Sequence, residues 1–221
     1  MEKASRLARP PSAVAHAPRD GGLQGIGRVR EVRNIFLSAS IPLPTEEGEF
    51  FETADVLAIR EAIKALVEIV VIDGTLTFGG HPAITPLVAF HVRDFDLRAE
   101  NVTIFQSKFF EDKIPPQVSD FVDVRYTRSV DGDLKQSLSH MRKRMIGSRR
   151  FDCAVFIGGM EGIFEELRIF REMHPKARLL PVASTGAAAK KVFDGGKFPK
   201  ELATELTYPT LFRRLIMRSA P

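Results

Sequence analysis

From residue 34 onward, short apolar and β-branched runs alternate with longer stretches whose apolar residues recur near helical spacing. The runs are "NIFLSAS" (34–40), "TLTFGG" (75–80), "NVTIFQS" (101–107), "FVDVRYT" (121–127), "DCAVFIGG" (152–159) and "ARLLPVAS" (177–184). Parallel strands cannot be joined by a tight hairpin, so strands alternating with helix-length segments imply a parallel sheet covered by helices. The predicted fold class is α/β, a three-layer Rossmann-like sandwich with a mostly parallel sheet, forming one domain over 34–221.

Between the runs, "FFETADVLAIREAIKALVEIVV" (50–71) has helical periodicity, and Thr53 with Asp55 offers a start signal. Pro82 suits the first turn of a helix after the second strand. Further helices are predicted over 131–148, 162–175 and 185–194, and "YPTLFRRLIM" (208–217) reads as a short helix at an edge or an oligomer contact.

The first 33 residues are rich in Pro, Gly, Ala and Arg without apolar periodicity, which predicts a disordered basic tail. That tail holds seven basic residues against three acidic ones, which is the whole net charge of +4. A domain with balanced charge lacks the basic footprint of a specific nucleic-acid binder. No apolar run approaches the 18 or so residues of a membrane span, and the start has no apolar signal region, so a cytoplasmic protein without a membrane partner is expected. The single Cys153 lies inside an apolar run and cannot close an intramolecular disulfide. The five histidines show no metal-ligand spacing, so neither a metal nor a cofactor is expected.

Most of the predicted strands end in small or polar residues: Ser38 and Ser40; Gly79, Gly80 and His81; Gln106 and Ser107; Gly158 and Gly159; Ser184, Thr185 and Gly186. In an open parallel sheet these carboxyl ends share one crevice, where such folds bind ligands. Three of them are glycine turns ahead of helices, which let an anion approach unpaired backbone N–H groups. The turn Gly158, Gly159, Met160, Glu161, Gly162 is followed by Glu165 and Glu166, acids that either favour the helix dipole or bind sugar hydroxyls. Adjacent helical residues point about 100° apart, so only one of the two faces the crevice.

"GGMEGIFEE" (158–166) resembles the "PGGxGTxxE" signature of the Lonely Guy proteins, cytokinin-activating phosphoribohydrolases once named lysine decarboxylases. Those proteins carry an Arg-Lys pair on the preceding helix, and Arg142 stands sixteen residues before Gly158 with Lys143 beside it. The wider group is the SLOG superfamily, and the resemblance covers about residues 34–190. Ile157 replaces the family proline, Ile163 replaces the threonine, and one extra residue separates Gly159 from Gly162. These departures are similar to divergent SLOG groups that sense nucleotide-derived signals in bacterial conflict and defence systems.

The resemblance implies a nucleotide-like or ADP-ribose-like ligand held by Ser38, Ser40, Gly79, Gly80, His81, the 158–162 turn, Glu165 and the 184–186 turn. Two readings stay open: a sensor, or an N-glycosidic hydrolase in which Glu166 stabilises an oxocarbenium-like transition state and Arg142 grips phosphate or carboxylate. A structural interaction module without ligand is the third. A homodimer or higher homo-oligomer is implied, and a sensor of this length would act through a separate effector protein.

Overall fold

Strand β1 (Arg33–Ser40) occupies the middle of the sheet because its residues Ile35, Phe36 and Leu37 are at most 1% exposed and need cover on both faces. The computed structural model describes residues 33–44 and 48–217, and these belong to one compact unit. After β1 come α1 (Gly48–Thr53), α2 (Val56–Asp73), β2 (Gly74–Gly79), α3 (Thr85–Asp94), β3 (Val102–Ser107) and β4 (Asp123–Thr127). The chain continues through α4 (Leu134–Ile146), β5 (Cys153–Gly158), α5 (Gly162–Met173), β6 (Arg178–Val182), α6 (Ala187–Asp194), α7 (Glu201–Thr204) and α8 (Tyr208–Phe212). The six strands lie in the order β4-β3-β2-β1-β5-β6, and every neighbouring pair is parallel. The expected Rossmann-like sandwich is thus the observed fold.

Period-two alternation builds the layers. Leu37, Leu76, Phe78, Ile104 and Val155 face α2, α3 and α8, whereas Phe36, Phe105, Ala154 and Phe156 face α4, α5 and α6. Phe36 is fixed by Phe170, stacked at 5.5 Å, and by Phe151 at 5.8 Å. Helix α2 starts where the sequence signals it: Asp55 accepts a hydrogen bond from the Ala58 N–H at 2.9 Å, a cap worth about 1 kcal/mol. Asp133 caps α4 in the same way through the Gln136 N–H at 2.7 Å.

Three local expectations change. Helix α3 starts at Thr85 with Pro86 in its first turn, while Pro82 lies in a preceding turn where His81 Nδ1 accepts the Ala83 N–H. The 208–217 segment is no exposed edge: Tyr208, Leu211, Phe212 and Ile216 are buried in the core shared with α2, and the chain past Phe212 widens into a π turn, Arg213–Met217. Arg33, assigned above to the tail, opens β1; the rest of the predicted tail lies outside the described residues.

A closed polar ladder crosses the amino ends of the strands. Asp152 Oδ2 accepts the Asn34 N–H, Asn34 Oδ1 accepts from Thr75 Oγ1, and Arg149 donates to Thr75 Oγ1 at 2.9 Å and to Thr103 Oγ1 at 2.8 Å. Thr103 then donates to Asp123, which Arg125 grips with two nitrogens. Arg125, chiefly, holds the Asp123 carboxyl below its ordinary range.

Candidate functional site

The chain runs outward from β1 to β4 and returns on the other side of β1 for β5, so the strand order reverses between β1 and β5. At the carboxyl ends there, Ser40 is level with Gly158. Gly158 and Gly159 adopt φ values of +56° and +89°, a left-handed region open chiefly to glycine. Their N–H groups donate inward, Gly158 to Thr185 Oγ1 at 2.9 Å and Gly159 to the Ser40 carbonyl at 2.8 Å. The turn therefore delivers the start of α5 beside β1, while its two glycine amides are consumed within the protein.

A cavity of about 400 Å³ lies over these strand ends. Of the residues singled out from sequence, Ser38, Ser40, Gly79, Gly80, His81, Arg142, Met160, Gly162 and Glu166 line it. Gly158, Gly159, Glu161, Glu165, Ser184, Thr185 and Gly186 do not. The remaining lining includes Leu138, Met141 and Ile163, with Phe110, Lys113 and Gln106 at the β3 side.

Glu166 is the polar centre of this cavity. Its Oε2 accepts from Ser38 Oγ at 2.5 Å and its Oε1 from Arg142 Nε at 3.4 Å, with only 15% of the Glu166 side chain and 17% of the Arg142 side chain exposed. Burial pushes the Glu166 carboxyl above its ordinary range, against the opposing pull of Arg142 and Ser38. Such a group keeps its proton to higher pH than a solvated glutamate does. The Arg142 guanidinium reaches this place because position 162 has no side chain: a Cβ there would stand 2.6 Å from Arg142 Nη2. Glu165 points the other way, to Arg168, whose hydrogen bonds lower its pKa. Arg149, near Arg142 in sequence, belongs to the ladder at the opposite end of the strands.

The 184–186 turn sits behind the glycine turn as a brace. Thr185 is fully buried, donates to the Val182 carbonyl at 2.6 Å and accepts from Gly158, while its own carbonyl accepts the Asp55 N–H. Ser184 Oγ bonds the Tyr208 hydroxyl at 3.1 Å, and Gly186 packs against the Thr53 carbonyl. Glu161 is exposed at the start of α5 without a side-chain capping bond. Their small or polar character reflects internal hydrogen bonding, which sequence alone does not separate from ligand binding.

Sequence reasoning noted Gln106 only as a strand end and missed Phe110 and Lys113. Those two come from the 3₁₀ segment Lys108–Lys113, which carries no periodicity to read. Among the described residues no group of three His, Cys, Asp or Glu side chains is placed to hold a metal ion. No helix among them is long and apolar enough to cross a membrane.

The model of the SLOG cluster3 family matches residues 49–216. No curated protein matches the chain. One X-ray structure, that of TM1055, superimposes with a TM-score of 0.53 at 13% identity, covering 84% of this chain and all of the other. At that identity the likeness speaks for the fold alone.

Proposed function

Because the chain belongs to the SLOG cluster3 family, we propose that the cavity over Glu166 binds a purine nucleotide or an ADP-ribose-like molecule and that the protein works as a sensor of it. The observation that carries this reading is the Ser38–Glu166–Arg142 cluster at the point where the strand order reverses. A buried carboxylate with a serine beside it suits ribose hydroxyls, and a guanidinium suits a phosphate or carboxylate. The cavity, about 400 Å³, falls in the range of small-molecule sites.

Sensing is favoured over hydrolysis by what surrounds the cluster. The apolar Ile163 stands where the hydrolases carry a threonine, and Gly158 and Gly159 direct their amides into the protein. A phosphate therefore finds fewer donors at the start of α5 than the hydrolase signature supplies. The intact Arg142–Glu166 pair supports the second reading, cleavage of the N-glycosidic bond of a nucleoside monophosphate.

Thermal-shift titration with nucleoside monophosphates, ADP-ribose and cyclic nucleotides tests the proposal. A ligand at 100 times its Kd stabilises the fold by about 2.7 kcal/mol. Binding without release of free base on chromatography is the sensor's result. Release that disappears in Glu166→Gln with binding retained is the hydrolase's. No shift with any of the panel is the result of a module without ligand.

A further inference from the structure

The β3 side of the cavity carries an aromatic ring that the fold leaves partly uncovered. Two phenyl rings line the cavity, Phe78 and Phe110. Phe78 is 1% exposed and belongs to the core on the α2 side, whereas Phe110 is partly exposed and packs into neither of the two hydrophobic cores among the described residues. Its position is nevertheless fixed, because the 3₁₀ segment Lys108–Lys113 follows β3 without a loop and Ser107 Oγ accepts the Phe109 N–H at 3.3 Å. The backbone leaves helical geometry at Phe110, with φ −107° and ψ 26°, and the Phe109 and Phe110 rings meet edge to face at 5.1 Å. Leu138 and Met160 also line the cavity and keep part of their surface open.

The two sides of the cavity therefore ask for different chemistry. On the β1 side, Ser38, Glu166 and Arg142 form the hydrogen-bonding cluster already described. Strands β1 and β3 are two places apart in the sheet, about 10 Å, so the ring beyond the end of β3 stands at the far side from that cluster. A phosphorylated sugar satisfies the cluster and leaves Phe110, Leu138 and Met160 in water. A flat heterocycle joined to that sugar covers them, and an aromatic ring is the wall on which such a heterocycle stacks.

Resting on the nucleotide-site reading above, we propose that Phe110 is the residue that recognises the ligand's base, stacking its ring on the heterocycle while the Ser38–Glu166–Arg142 end holds the sugar and phosphate. Stacking uses the π face that every base has, so Phe110 supplies affinity for a heterocycle without choosing among its edge groups. A purine, with the larger face, gains more from it than a pyrimidine does.

The test measures AMP and ADP-ribose by isothermal titration calorimetry on the full chain, with base-free ribose 5-phosphate measured by displacement of the bound nucleotide. Wild type is expected to bind at least one of the two nucleotides about tenfold or more tighter than ribose 5-phosphate, the discrimination of one stacked base. In Phe110→Leu the nucleotide affinity falls about tenfold while that of ribose 5-phosphate is unchanged, and Phe110→Tyr, which keeps the ring, retains the wild-type preference. Equal weakening of nucleotide and ribose 5-phosphate in Phe110→Leu would mean a packing role only and overturns the proposal. So does undiminished nucleotide affinity in that variant, or a wild type that binds ribose 5-phosphate as tightly as the nucleotides. If none of the three binds wild type, the nucleotide-site reading itself fails and this inference falls with it.

Discussion

The two ends of the sheet are both polar and both partly buried, yet they differ in how their hydrogen bonds close. At the amino ends Asn34, Thr75, Arg149, Thr103, Asp123 and Arg125 form a ladder in which each side chain meets another. At the carboxyl ends Ser38, Glu166 and Arg142 are partnered with one another, but they border a cavity of about 400 Å³. A closed network holds strands together; an open one at a reversal of strand order has room for a ligand. Residue type does not separate the two ends, since each contains an arginine, an acid and hydroxyls.

The largest effect expected from breaking this contrast comes from the closed end. Arg149→Ala strips charged donors from Thr75 and Thr103 together and should cost about 3 kcal/mol, each hydrogen bond to a charged group being worth roughly 1.5 kcal/mol at the low end. Urea denaturation reads the loss, and nucleotide affinity should be unchanged. The counterpart at the open end, Arg142→Ala, should weaken nucleotide binding by about 2 kcal/mol, roughly thirtyfold, with a smaller change in urea midpoint than Arg149→Ala gives. Equal stability losses in the two variants would erase the distinction between the ends.

A cap substitution sharpens the same contrast with a smaller effect. Asp133→Ala removes the α4 cap, about one helix turn from the cavity-lining Leu138 and well before Arg149, and should cost about 1 kcal/mol without altering nucleotide affinity.

The smallest expected effect is in pH dependence, where the two ends run in opposite directions. Asp123 is held below its ordinary 3.8, so its contribution is complete above that value and is lost as pH falls through its lower folded range. Glu166 is raised above its ordinary 4.5, so in the absence of ligand the folded state binds more protons and stability declines as pH rises from 4.5 through the folded value. Glu166→Gln should flatten the decline above 4.5 and leave the acid limb alone, whereas Asp123→Asn should act on the acid limb only. Thermal melts across pH check both.

Much of this was legible in the sequence because period and length carry it. The boundaries of the six strand runs sit within two residues of those of the observed strands, since buried parallel strands must be short, apolar and β-branched. Asp55 announced α2 through its cap. Gly162 and the acid pair Glu165 and Glu166 were legible from the glycine turn ahead of a helix, whereas Arg142 was legible only through a family spacing; the local pattern does not distinguish Arg142, which lines the cavity, from Arg149, which ties the opposite edge. The 184–186 turn shows the converse limit. A small polar strand end looks alike whether its hydroxyl faces a ligand or, as in Thr185, a neighbouring backbone N–H. Gln106, Phe110 and Lys113 needed the structure because the end of β3 and the 3₁₀ segment after it carry them to a cavity whose other walls come from distant parts of the chain.

Hydrogen exchange of the full chain with and without saturating AMP or ADP-ribose tests most directly whether the open end is the ligand site. The account predicts slowed exchange over 38–44, 79–84, 106–113 and 159–166, the segments around the cavity, with no change at 149–152 or 123–125 on the opposite edge. Protection confined to that opposite edge, or no protection with either nucleotide, would contradict it.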